Sequence, residues 1–358
     1  MDKLTGAELA VASVGGYRHI ADLIAFDGPF LSLLTDDAQQ EALLLWLDCD
    51  TRANRWLLLD VARADLRGYL LRELSLLEIL RMSKELIVYD QSRSKRKNVL
   101  RMSVDELPAA YLPLPDSYLT PNIATPDAKA LANTETIRYS IRLDGEVFVN
   151  DLGNFTKFYQ QLYSFHYGLE HLDRASVRDI ITTNVSAWTG GGNSVHMFSG
   201  LNAVMPSVHR ARVTKMEFAS PGHIQIELLP LMAKEIHASV SNLSPKVTFE
   251  QSERLYSEIY KYFRKHGLGF EDRAIRRTTS VPAEVMSELT QYVQRLLQLF
   301  AWQHYKAQFL ALDMDALAQL RALLAYYRRL RSLVRYQQRG MIDLEPIAAD
   351  PSSALTSS

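Results

Sequence analysis

The sequence predicts an α+β protein. Three observations carry this: short apolar runs divided by turn residues in the first sixty positions, an alternating hairpin near residue 220, and two long helical stripes from Ser280 onward.

The runs Phe30 to Leu34, Leu43 to Asp48 and Trp56 to Val61 read as strands of an antiparallel meander. Asp36-Asp37 and Asp50-Thr51-Arg52-Ala53-Asn54 supply the turns between them. Two short helices follow, Asp65 to Arg72 and Ser75 to Met82. Ser75 with Glu78 three residues on spells a capping box. Leu86 to Tyr89 adds a further strand, and the basic run Arg93-Ser94-Lys95-Arg96-Lys97 reads as an exposed loop. Residues 108–126 hold five prolines, which fix φ and remove donors, so this stretch is expected to be a linker or strap.

The chain then restarts with a strand at Ile137 to Leu143 and a helix over 151–169. A glycine-rich loop, Gly190-Gly191-Gly192-Asn193, follows. Arg212 to Phe218 and His223 to Leu229 alternate in polarity around Ser220-Pro221-Gly222, the chemistry of a tight turn, and predict a β-hairpin with one buried face. Helices are expected over about 230–241 and 249–266. Beyond Ser280, Leu289, Tyr292, Val293, Leu296, Leu297 and Phe300 keep helical spacing. Asp313 is the expected cap of a second helix, and Gly340 its end. The domains read as 1–107, a β-meander α+β domain; 108–135, the proline-rich linker; 136–278, a second α+β domain; 279–343, a helical hairpin; and 344–358, a disordered tail.

Composition limits the function classes. The 358 residues are 47% hydrophobic and 23% charged with a net charge of -1, which argues against global disorder and gives no bulk attraction to nucleic acid. Cys49 is the single cysteine, so a disulfide framework or multi-cysteine zinc site within one chain is excluded. Met1 to Arg18 lacks the pattern of a signal peptide, and no run of about 18 apolar residues occurs, so a cytoplasmic protein with no membrane partner is expected. No phosphate loop of P-loop type, GxSxG elbow or HExxH helix is present, and no cofactor is expected.

Four weaker features remain. Asp48 and Asp50 beside Arg55 could hold a divalent cation, or cap and brace the turn. Gly191 and Gly192, followed by Ser194 and His196, could cradle an anion with backbone amides, or form a plain flexible loop. His209, Arg210 and Arg212 at the head of a strand could read a phosphate together with His196, or mark an exposed strand edge protected by charge. Arg321, Arg328, Arg331, Arg335 and Arg339 lie with Arg329 on a terminal helix without a single acid, with Tyr326, Tyr327 and Tyr336 among them. Such a stripe could meet phosphates or an acidic partner, or complement the helix dipole.

Phe26-Asp27-Gly28-Pro29 with Leu31-Ser32-Leu33, then Asn54-Arg55-Trp56-Leu57 and Ser75-Leu76, resembles a family of uncharacterised bacterial proteins that open on an FDGPxLSL…NRWL meander. The resemblance covers roughly residues 20–90 and implies a bacterial or phage-related cytosolic source. It carries no established activity, so no residue inherits a role from it.

The leading expectation is a non-catalytic binding or assembly protein, with a protein partner or self-association through the C-terminal helices. A bacterial regulatory or anti-phage system is one setting for such a protein. The alternatives are a nucleic-acid-binding protein using the arginine stripe, and an enzyme acting on a phosphorylated or nucleotide substrate through the His196, His209, Arg210 and Arg212 group.

Overall fold

A computed structural model describes residues 4–10, 16–25, 28–49, 53–92, 97–114, 126–186, 191–218, 221–268, 281–302 and 305–344. The chain divides into two units. One is Met1–Glu135 with Pro206–His209, and the other is Thr136–Met205 with Arg210–Ser358. Asp50, Gly190, most of the basic run, Pro115, Pro121 and the tail beyond Leu344 lie outside the described residues.

The first unit is a seven-stranded antiparallel sheet. Its strands are β1 (Ala7–Leu9), β2 (Tyr17–Ala25), β3 (Pro29–Asp36), β4 (Glu41–Cys49), β5 (Ala53–Asp60), β6 (Leu86–Ser92) and β7 (Lys97–Met102), in the order β1-β7-β6-β5-β4-β3-β2. Leu33 pairs with Leu43, Leu43 with Leu59, and Leu57 with Val88, so alternate residues of neighbouring strands form one apolar face. Helices α1 (Arg63–Leu70) and α2 (Leu76–Met82) fill the connection from β5 to β6. They bury Leu66, Tyr69, Leu70, Leu76, Ile79 and Leu80 in the same core. The Ser75 capping box is present: the hydroxyl accepts from the Glu78 amide at 3.2 Å, and the Glu78 carboxylate accepts from the Ser75 amide at 2.7 Å. A short helix α3 (Pro126–Leu131) also belongs to this unit. The sheet is wider than the sequence pattern suggests, because β1, β2 and β7 were not legible. Strand β2 interrupts its apolar residues with Arg18, His19 and Asp22, and its pairing with β3 shifts register three times.

The second unit has a four-stranded sheet of β8 (Ile137–Leu143), β9 (Arg212–Glu217), β10 (Gly222–Leu228) and β11 (Ile342–Leu344), ordered β11-β8-β10-β9. Its helices are α4 (Val149–Glu170), α5 (Ala175–Ser186), α6 (Gly191–Val204), α7 (Pro230–Leu243), α8 (Lys246–Lys265), α9 (Ala283–Leu299), α10 (Lys306–Leu310) and α11 (Ala316–Gln338). One hydrophobic core joins them. It includes Ile141, Ile224 and Ile226 of the sheet, Leu162 and Phe165 of α4, and Leu296 of α9. Helix α11 runs through this core, and every residue from Leu317 to Tyr327 is buried. Helices α9 and α11 therefore pack with the middle region of the chain as well as with each other.

Two local readings change. Gly191, Gly192 and Asn193 open α6 and are helical; the run of polar and apolar residues behind them, Ser194 to Val204, supplies the turns that glycine alone would disfavour. Asp315, and not Asp313, caps α11, its carboxylate accepting from the Ala318 amide at 2.7 Å. The end of α11 is as expected. Gly340 takes φ +70°, its amide donates to Gln337 O at 2.9 Å, and the Met341 amide donates to Tyr336 O at 3.1 Å. These two bonds make a Schellman ending, which turns the chain into β11 beside β8.

Candidate functional site: a free sheet edge

The residues singled out in the sequence lie on several different elements. Asp48 accepts a hydrogen bond from the Tyr111 hydroxyl at 2.5 Å. Arg55 donates to that same hydroxyl at 2.9 Å and to Asp90 at 3.3 Å. Burial and the Asp48 carboxylate hold the Tyr111 hydroxyl above its ordinary range. The network braces the open end of β4, β5 and β6. Among the described residues no three His, Cys, Asp or Glu side chains come together as a metal site.

His209 falls in the first unit, while His196, Arg210 and Arg212 fall in the second. His196 is exposed on α6. Arg210 reaches the carbonyls of Met205 at 3.2 Å and Ala203 at 3.5 Å, where a cation complements the C-terminal end of that helix. Arg212 pairs with Glu227 on β10 at 2.6 Å. Ser194 is buried.

Part of the arginine stripe finds an acid on a different helix. Glu253 of α8 meets Arg335 at 2.8 Å and Arg331 at 3.5 Å, and accepts from the Tyr327 hydroxyl at 2.7 Å. Arg331 also lies over the Tyr256 ring, 4.8 Å from its centroid. Arg328 donates to the Tyr260 hydroxyl at 2.9 Å. Arg329 sits 3.9 Å over the Phe198 ring and donates to Gln161 at 2.7 Å; burial pushes its guanidinium down to about 10. Arg321 is buried and Arg339 is exposed. A stripe that looks unmatched along one helix is thus largely matched across the packing of α8 and α11.

A cleft of about 520 Å³ opens among α7, α8 and α9, with Asn242, Gln251, Arg254 and Arg295 on its walls. Glu258 takes both terminal nitrogens of Arg295 at 3.1 and 3.2 Å and the Tyr292 hydroxyl at 3.1 Å. Its carboxyl is held below the usual range, chiefly by the Arg295 bonds. The Arg295 charge is thus paired with Glu258 on the wall of the cleft.

The feature that stands out chemically is strand β9. It closes one side of its sheet, so among the described residues one of its backbone edges has no neighbouring strand. All six of its residues are exposed, whereas its neighbour β10 alternates between buried and half-buried. No protein-family model, curated protein or solved structure matches this chain. The edge must therefore be read from its own chemistry.

Val213 stands opposite Ile226, and Met216 opposite Ile224. The two isoleucines are 5% and 0% exposed, but Val213 and Met216 are 49% and 46% exposed, and Phe218 just beyond is 66% exposed. The helical layer that covers β10 stops short of β9. Three apolar side chains in seven residues, together with a free backbone edge, make a template for another strand. The other face of β9 is charged. Arg212 pairs with Glu227, Lys215 with Glu217, and His223 with Glu217 at 3.3 Å. The Lys215 hydrogen bond is the main reason the Glu217 carboxyl is held below its usual range. Sequence reasoning located Arg212 at the strand head and weighed a charged edge for it. It missed the exposed apolar pair: strict alternation sets Val213 with Lys215 and Glu217, and only the extra residue Thr214 brings it to the face of Met216.

Among the described residues no helix is long and apolar enough to cross a membrane.

Proposed function

We propose that the chain is a binding and assembly protein that accepts a partner strand along the free edge of β9. One observation carries the proposal: a fully exposed edge strand whose apolar side chains continue the buried Ile224 and Ile226 row into solvent. Strand addition is a general recognition mode in which main-chain hydrogen bonds give affinity and alternate side chains give selectivity. The in-chain partners of the arginine stripe support placing recognition at β9 rather than at the C-terminal helices.

Photo-crosslinking tests this in the full chain, produced in cells. A crosslinkable residue is placed at Val213 or Met216, with Val247 of α8, which is 68% exposed, as the control position. Discrete adducts at the two β9 positions, absent at Val247, are the expected result. Equal yields at all three positions, or none, would overturn the proposal.

A further inference from the structure

Resting on the strand-addition reading, we infer that the partner of β9 is β9 of a second copy, paired antiparallel about a two-fold axis that passes between Thr214 and Lys215. The argument is one of register. A two-fold axis normal to the sheet preserves its faces, so paired residues must lie on the same face. In a regular strand Val213 and Met216, three apart, would point to opposite faces. Strand β9 is not regular. Lys215 pairs with Gln225 and Val213 with Ile226, so Thr214 is an extra residue, a bulge. The bulge turns Val213 and Met216 to the same face, as their pairing with Ile226 and Ile224 requires.

With that correction one register fits. Setting Arg212 opposite Glu217 of the second copy sets Val213 opposite Met216 and Thr214 opposite Lys215, and every pair occurs twice. Opposite charges meet on one face and apolar side chains on the other. Sliding by one residue one way pairs Val213 with Lys215. Sliding the other way sets Lys215 against itself and Val213 against Glu217. Both neighbouring registers oppose unlike groups. The fitting register also extends what each copy already holds. On the charged face, Glu227 and Arg212 of one chain continue into Glu217 and His223 of the other, alternating in sign where the two chains meet. On the apolar face, Ile226 and Val213 continue into Met216 and Ile224. Two four-stranded sheets become one of eight. The bulge that protects the edge from indiscriminate pairing also selects this register.

Charge exchange is the test, on the full chain by sedimentation velocity. Arg212→Glu places Glu opposite Glu at both symmetric positions, and Glu217→Arg places Arg opposite Arg. Each variant alone is expected to weaken the dimer about tenfold or more. Mixed together, the two variants restore every opposite-charge pair and are expected to form a heterodimer near wild-type affinity. Because each single variant also disturbs an in-chain pair, recovery on mixing is the decisive readout. A wild-type chain that stays monomeric up to about 100 μM, on the order of weak protein association, would overturn self-pairing, and so would a mixture no tighter than its components. Discrete β9 adducts to a different protein, with a monomeric chain, would retain strand addition and remove only the second copy. Absence of specific adducts would remove both.

Discussion

His166 makes a sharp prediction about acid stability. It lies on α4 in the second core and is fully buried. The rings of Trp302, Tyr305 and Tyr326 surround it at 5.4 to 5.9 Å. Its Nε2 lies 2.9 Å from the Tyr326 hydroxyl, while Nδ1 has no hydrogen-bond partner among the described residues. That hydrogen bond is compatible with a neutral ring in either tautomer. A charged imidazolium there would have lost its water and gained no counter-ion, so burial pushes the group from 6.5 down to about 3. In the unfolded chain the same ring protonates near 6.5. Between these values the unfolded state holds one more proton, so stability falls as pH falls. The contribution is fully present above 6.5, declines by up to about 1.4 kcal/mol per pH unit below it, and levels off near pH 3. From pH 7 to pH 5 the loss from this residue is about 2 kcal/mol. His171, also pushed down mainly by burial, adds a loss of the same sign. The assay is urea unfolding of the full chain at pH 7, 6 and 5, comparing wild type with His166→Phe. The variant should be less pH-sensitive by about one proton's worth of slope, whatever its absolute stability. An unchanged slope would refute a buried neutral histidine at this position.

Three further outcomes follow from the packing. Glu253→Ala removes an acceptor from Tyr327 and two partly exposed arginine pairs, and should destabilise the chain by about 2 kcal/mol, most of it from the tyrosine bond; a shift in urea midpoint equivalent to less than about 0.5 kcal/mol would show that the α8–α11 network is not structural. Ser75→Ala breaks the capping box and should lower stability by about 1 kcal/mol, with faster amide exchange in the first turn of α2 as its local signature. Gly340→Ala should cost about 1 kcal/mol in thermal or urea unfolding, a pure backbone effect, since φ is +70° and nothing lies within 4 Å of the added carbon; a neutral result would mean that the Schellman ending relaxes freely.

Local chemistry was legible in the sequence wherever a pattern and its partner lie close together along the chain. The Ser75 and Glu78 box, the hairpin of β9 and β10 and the Gly340 stop each depend on residues a few positions apart. The α+β class followed from the same short-range periodicities. Tertiary packing decided the rest. Of the six arginines along one helix, Arg328, Arg331 and Arg335 look unpaired until α8 brings Glu253 and Tyr260 across from them, 68 or more residues away in sequence. Strict alternation would set Val213 and Met216 on opposite faces; the bulge at Thr214 brings them to one face, which is exposed on β9. Alternation cannot say where the neighbouring layer ends, because that limit is set by the packing of helices from other parts of the chain. The bulge at Thr214, likewise, exists only in relation to β10. So the sequence by itself determined the α+β class, the central meander strands, the hairpin, the Ser75 cap and the Gly340 stop, and the tertiary structure decided the outer strands, which faces are satisfied and which edge remains open.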